Sequence, residues 1–266
     1  MSPKKSIIAV ATALIVPLVL IVGWEALVRT NLIPTSQAAA PSAVIAQMIS
    51  LLFSGVLLKH AFYSLARIMS GLLLGSLVGG ISGILLGTSR IADRLFSPTL
   101  QLLAGVPVVV WIPFWVMFFG TDEAFKISMA AISTFFLVHL NTFGGVRSVG
   151  KPYLELADIY EKHLWEKVRE VILPSATPAI LTSIRTSLAF CWVVIFFVEY
   201  ASAAHGSEGL GWFIADSRQV GRIEEEFAGL LFLGLIAFIT DRLLASVERR
   251  ALVWSDTLET KMAQED

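Results

Sequence analysis

The sequence predicts an all-α integral membrane protein with six transmembrane helices, and two observations carry that expectation. First, 56% of the 266 residues are hydrophobic and only 15% are charged, with a mean hydropathy of +0.75. A soluble domain carries about 25% charged residues. Second, apolar runs long enough to cross hydrocarbon, about 20 residues each, recur along the chain. The net charge of −1 offers no basic field for nucleic acid. The single cysteine, Cys191, leaves no disulfide framework and no paired-cysteine metal or redox site. It reads as a small buried hydrophobe. No stretch resembles a linker, so residues 1–266 read as one domain.

The first span is Ser6 to Trp24, preceded by Lys4 and Lys5. It is long for a signal core and continues into EALVRT without a clear cleavage site, so it reads as an anchor. Pro41-Ser42 then opens a short helix on which Val44, Ile45, Met48, Leu51 and Leu52 recur at helical spacing. It is too short and too polar to span and is expected at the membrane interface. The second span runs from about Phe62 to Gly87, with Gly71, Gly75, Gly79, Gly83 and Gly87 at every fourth position. Such a stripe allows close helix packing in lipid without naming the partner. Arg67, near the outer end of this span, is expected to snorkel.

Leu95 to Thr121 is uncharged and contains Pro98, Pro107 and Pro113, so the third span is expected to be kinked or broken. The fourth span is about Ala124 to Val146, the fifth Thr177 to Ala203 and the sixth Phe227 to Val247. An even number of spans places both termini and the central polar stretch on one side. Lys4, Lys5, Arg90, Arg94, Arg147, Lys151, Lys162, Lys167, Arg169, Arg249 and Arg250 would share that side. Arg29, Lys59, Lys126, Arg218 and Arg222 would lie opposite. The positive-inside rule makes the richer side cytoplasmic.

The central stretch, residues 147–174, holds ten charged residues between Arg147 and Glu170, five basic and five acidic. Its periodicity predicts two short amphipathic helices. Leu154, Leu156, Ala157, Ile159 and Tyr160 supply apolar contacts in the first, and Leu164, Trp165, Val168, Val171 and Ile172 in the second. The spacings Asp158–Lys162 and Glu166–Arg169 suit helical ion pairs. Periodicity alone allows a solvated loop on the membrane face. Leu164 and Trp165 set among charges also resemble an interface anchor with a polar rim.

The order of residues in this stretch resembles the EAA loop of binding-protein-dependent ABC importer permeases. Glu155-Leu156-Ala157 stands at the opening position of that motif, and VILP, Val171 to Pro174, closes it. Further segments follow the family order: PSAV from Pro41, SLARIMSGLLLG from Ser64, GVPVVVWIPFWVMFFG from Gly105, NTFGGVRSV from Asn141 and EGLGW from Glu208. Together they are similar to the nitrate, sulfonate and taurine branch, with the type I importer fold. The resemblance implies a multi-pass protein of the bacterial inner membrane. It implies two permease copies, two ATP-binding subunits that carry ATP and Mg, and an outer binding protein that delivers the solute. It also implies an ATPase-coupling surface at Glu155, Leu156, Ala157, Asp158, Tyr160, Glu161, His163, Leu164, Trp165 and Pro174. Leu164 and Trp165 would anchor the ATPase, and Glu155 would hold the loop's own fold. The family glycine of the loop falls on Glu161, where a left-handed turn is costly, so the break is expected to shift to Lys162-His163 or to be less sharp.

No phosphate-binding GxxxxGK[ST] loop, HExxH or GxSxG occurs, so ATP hydrolysis is expected on another chain. His139, Asn141, Arg185 and Glu199 are the polar residues within spans. Packing is their commoner role, and a place on the substrate path is the alternative. A self-contained secondary transporter or channel would show inverted repeats and charged relays, and an intramembrane enzyme would need a nucleophile–base pair. Neither pattern is found.

Overall fold

A computed structural model describes residues 3–202 and 208–252, with side chains from residue 15. Every regular element among them is helical. The elements are α1 (Pro3–Arg29), α2 (Pro41–Phe53), α3 (Val56–Thr88) and α4 (Arg90–Ala104), then a 3-10 turn (Val108–Trp111) leading into α5 (Ile112–Phe119). After these come α6 (Glu123–Arg147), α7 (Lys151–Ile159), α8 (Leu164–Lys167), α9 (Leu173–Ala201), α10 (Leu210–Gln219) and α11 (Ile223–Ala251).

Four helical runs are long and apolar enough to cross a membrane: Val56–Thr88, Glu123–Arg147, Leu164–Ala201 and Ile223–Ala251. A further pair of apolar helices passes the same test only when taken together, and it is sharply bent. Arg90–Ala104 and Val108–Phe119 meet at 94°, with Pro107 capping the 3-10 turn and Pro113 in the first turn of α5. The missing N–H groups of these prolines make a continuous helix unfavourable there. The 27-residue α1 covers the stretch expected for the first span. Ala203, the expected end of the fifth span, lies outside the described residues.

The tightest pair in the bundle is α3 with α6, and the glycine stripe explains it. A Cβ on Gly79 would lie 2.8 Å from the Phe135 carbonyl oxygen, and one on Gly83 would lie 2.6 Å from Thr142 Cβ. The stripe therefore has its partner: the α3 backbone rests on α6, a contact that in lipid depends on small residues. The main core then joins Leu57, Ile68 and Leu72 of α3 to Leu188, Trp192 and Ile195 of α9 and to Leu210, Phe213 and Ile214 of α10. The short α2 packs through Val44 against Ala228 of α11.

Candidate functional site

The polar stretch builds its surface from local chemistry. Gly150 precedes α7 and Pro152 occupies its first turn, where a missing N–H costs nothing. Ala157 is buried and Leu154 packs inward. The helix ends with Glu161 at φ 49°. The Glu161 N–H donates to Asp158 O (2.9 Å) and the Lys162 N–H to Ala157 O (3.1 Å), the paired bonds of a Schellman ending. The break therefore stays on Glu161 and does not move to Lys162-His163. A non-glycine left-handed residue costs about 1–2 kcal/mol, and the two capping bonds offset it.

Beyond the turn, the Glu166 carboxylate accepts the His163 backbone N–H at 2.8 Å, which starts α8. The second expected helix is not separate. A π turn over Val168–Ile172 carries α8 directly into α9. Pro174 gives a physical reason, because its ring crowds the carbonyl four residues back and it donates no N–H, and the wider turn relieves both. The ion pairs also differ from the expected ones. Lys162 in the turn pairs with Glu170 of the π segment, and Lys167 of α8 pairs with Asp158 of α7, so the charges tie the first loop helix to the second. Glu170 holds the Lys162 ammonium above its ordinary range. Glu155 is exposed, and its carboxylate makes no ion pair among the described residues.

Of the apolar residues assigned to internal contacts, Leu154, Val168 and Ile172 do pack inward, against Ile84 of α3, Val146 of α6 and Ala176 of α9. Leu156, Ile159, Tyr160, Leu164 and Trp165 point outward, with Leu164 65% and Trp165 71% exposed. Leu156 and Tyr160 wall a cavity of about 310 Å³ with Tyr153 and Pro174, and Ile159, Leu164 and Trp165 add exposed apolar surface on the same loop. Lys162 and Glu170 line the same cavity, and charges at its rim are costly to place in lipid. An apolar cluster of this kind in a polar rim marks a protein interface.

At the opposite ends of the same helices lies a buried charge cluster. Arg67 is 3% exposed and does not snorkel. Its guanidinium donates to both oxygens of Glu123 (2.6 Å each), to Glu199 (2.5 Å) and to the Glu208 carbonyl. Glu199, fully buried, also accepts from Ser64 (2.8 and 2.9 Å) and from the Gly211 N–H (2.9 Å). His60 accepts the Gly209 N–H, and Ser64 accepts that of Leu210. Gly209, at φ 138°, lies so close that a Cβ would meet both Glu199 oxygens at 2.5 Å. Thus the EGLGW segment seats α10 on α3 and α9. Lys59, followed by the Tyr63 hydroxyl, holds the Glu208 carboxyl below the usual range. Sequence reasoning missed this network. The signal was an Arg and a Glu both at membrane depth, which normally pair.

The four polar residues within spans keep separate partners. His139 is buried, 2.8 Å through Nδ1 from Ser82 Oγ and stacked between Phe135 and Phe143. Asn141 is exposed and donates to Leu137 O. Arg185 pairs with Asp241 (2.9 and 3.1 Å) and Glu248 (3.4 Å). Glu199 belongs to the Arg67 cluster.

The chain is a bundle of apolar helices long enough to span a membrane, with a bent helix pair, a buried charge cluster at one end and exposed apolar side chains at the other. Comparison makes this specific: the chain belongs to the family of binding-protein-dependent transport system inner membrane components, matched over residues 71–253. It is 32% identical over 92% of its length, and 88% of the relative's, to a Bacillus subtilis protein named as an aliphatic sulfonates transport permease. A bicarbonate transport system permease of Synechococcus elongatus is 26% identical over 70% of this chain and 66% of its own. Among solved structures, a chain of an inward-facing methionine ABC transporter superposes with a TM-score of 0.61 at 18% identity, covering 77% of this chain and 97% of that one. The fold is that of a type I ABC importer permease. The protein is a transport subunit of the inner membrane and not an enzyme.

Proposed function

We propose that the chain is one of two permease copies that together form the path for a small anion, with a sulfonate, taurine or nitrate as candidates. The names of the sulfonate and bicarbonate relatives support an anion. An outer binding protein delivers the solute, and two ATP-binding subunits, which carry ATP and Mg, dock on residues 147–174 from the cytoplasmic side. Both termini lie on that side. The observation that carries the reading is the set of exposed apolar side chains on the loop, Leu156, Ile159, Tyr160, Leu164 and Trp165. The loop that bears it rests on α3, α6 and α9 through Leu154, Val168 and Ile172. A push on the patch therefore reaches three spans at once, which suits alternating access by rocking of packed helices.

The test is co-purification with the partner ATPase, followed by binding-protein-stimulated hydrolysis in lipid. Trp165→Ala removes a large anchor at a cost of about 2 kcal/mol, or about thirtyfold in affinity, while the spans stay intact. Glu155→Ala, at an exposed residue beside the patch, is expected to lower stimulation even where some ATPase remains bound. Normal co-purification and full stimulation in both variants would reduce the loop to a solvated turn.

A further inference from the structure

The broken span has a polar side that the loop and the clamp do not use. Arg90, Arg94 and Gln101 are all exposed and lie within about 40° of one another around α4, at 100° per residue, and Ser97, at the edge of this side, is buried and donates to Asp93. Neither guanidinium has an ion pair or hydrogen bond among the described residues. Arg147, at the facing end of α6, is paired with Asp93. The neighbouring carboxylate, Asp93, is taken by Arg147 and Ser97 at 2.6 Å each. Three arginines against one aspartate leave this end of α4 and α6 positive. The stripe leads to the break at residues 105–107, also exposed, and there opens a cavity of about 370 Å³ whose polar side-chain group is Ser133.

Lipid satisfies none of this. Irregular backbone at membrane depth is stable only inside protein or against water, and a glutamine one turn from the break costs free energy in hydrocarbon. The stripe therefore faces away from lipid, and its charge says which solute the space beside it favours. We propose that this side of α4 is the inner half of the solute path, with Arg90 and Arg94 forming an anion-selective exit. An anion in the cavity at the break has lost most of its hydration, and the positive mouth lowers its energy on the way out while repelling cations. The inference rests on the proposed reading of the chain as an anion permease.

The experiment reconstitutes the chain with its ATPase and binding protein in vesicles and measures ATP-driven accumulation of methane- to butanesulfonate, taurine, nitrate and bicarbonate. The anion that the wild type accumulates best is then followed in two double variants. R90E/R94E is expected to lower uptake at least tenfold, and R90K/R94K to stay within about threefold of wild type. Fields at such a mouth change rates by about 10 to 10³. The gap should narrow when salt on the cytoplasmic side rises from about 0.1 to 1 M, as the screening length falls from about 10 to 3 Å. If R90E/R94E does not assemble with the ATPase, R90Q/R94Q carries the test, with an expected loss of at least threefold.

Equal uptake by wild type and the charge-changed variant overturns the inference and leaves the permease reading standing. A gap seen only in vesicles with anionic lipid, and absent in pure phosphatidylcholine, also overturns it, because the arginines then bind headgroups. If the wild type accumulates none of these anions, the anion reading itself fails and the exit mouth falls with it.

Discussion

Arg67 shows what a single residue can hide. Its position near a helix end suggests a side chain reaching for water, yet it is the buried hub on which Glu123, Glu199 and the turn at Glu208 converge. Hydropathy gives the depth of a residue but not the rotation of its helix, so the partner stays invisible until Glu199 of α9 is seen against it. Removing one member of a buried ion pair strands the other charge and costs about 3–5 kcal/mol. Glu199→Gln is expected near the low end, because Arg67 keeps Glu123. The thermal transition of the purified protein in detergent should fall by several degrees. The double replacement Arg67→Met with Glu199→Leu should recover at least half of that loss. A single variant as stable as the wild type would mean that the cluster contributes little to holding α3, α6, α9 and α10 together. Glu161 shows the converse: the family glycine marked the position of the turn, and the structure keeps the turn there with a costlier residue.

At the scale of elements, what repeats was legible and what pairs was not. The fourfold glycine spacing announced a close contact, but only the coordinates supply α6 as the partner. The short α2 and the proline-broken span follow directly from length and missing donors. The helix α10 was overlooked although Leu210, Phe213, Ile214 and Ser217, all buried, stand at i, i+3, i+4 and i+7. Ten residues between two long apolar runs are easily absorbed into a connection. The second loop helix was expected as a separate piece, because sequence periodicity does not distinguish a π turn from a break. The stripe yields a prediction at this scale. Gly79→Leu places a side chain where a Cβ already meets the α6 backbone at 2.8 Å, whereas Leu77 is exposed and Leu77→Phe only enlarges a lipid-facing group. Gly79→Leu should sharply lower folded yield and thermal stability, and Leu77→Phe should leave both near wild type. Equal behaviour of the two would show that the α3–α6 seam tolerates separation.

Across the whole molecule, three helices share two landmarks. Arg67, Glu123 and Glu199 bring α3, α6 and α9 together at the clamp. Ile84, Val146 and Ile172–Ala176 bring the same helices together beneath the loop. At 1.5 Å per residue the landmarks lie about 25 to 40 Å apart, close to the thickness of a bilayer. Clamp and loop therefore lie at opposite ends of the bundle, and the proposed topology puts the loop inside, on the side where the basic residues are in excess. Single-cysteine labelling tests this directly, since Cys191 is fully buried and gives little background. A cysteine at Glu161, on the exposed turn of the loop, should react with an impermeant thiol reagent only once the cytoplasmic side is opened. One at Glu224, exposed at the start of α11, should react in intact cells; it is preferred to Ser207, which lies outside the described residues. Labelling of position 161 in sealed cells would turn the molecule over, putting the apolar patch where no ATPase could reach it and the arginines of α4 at an entrance.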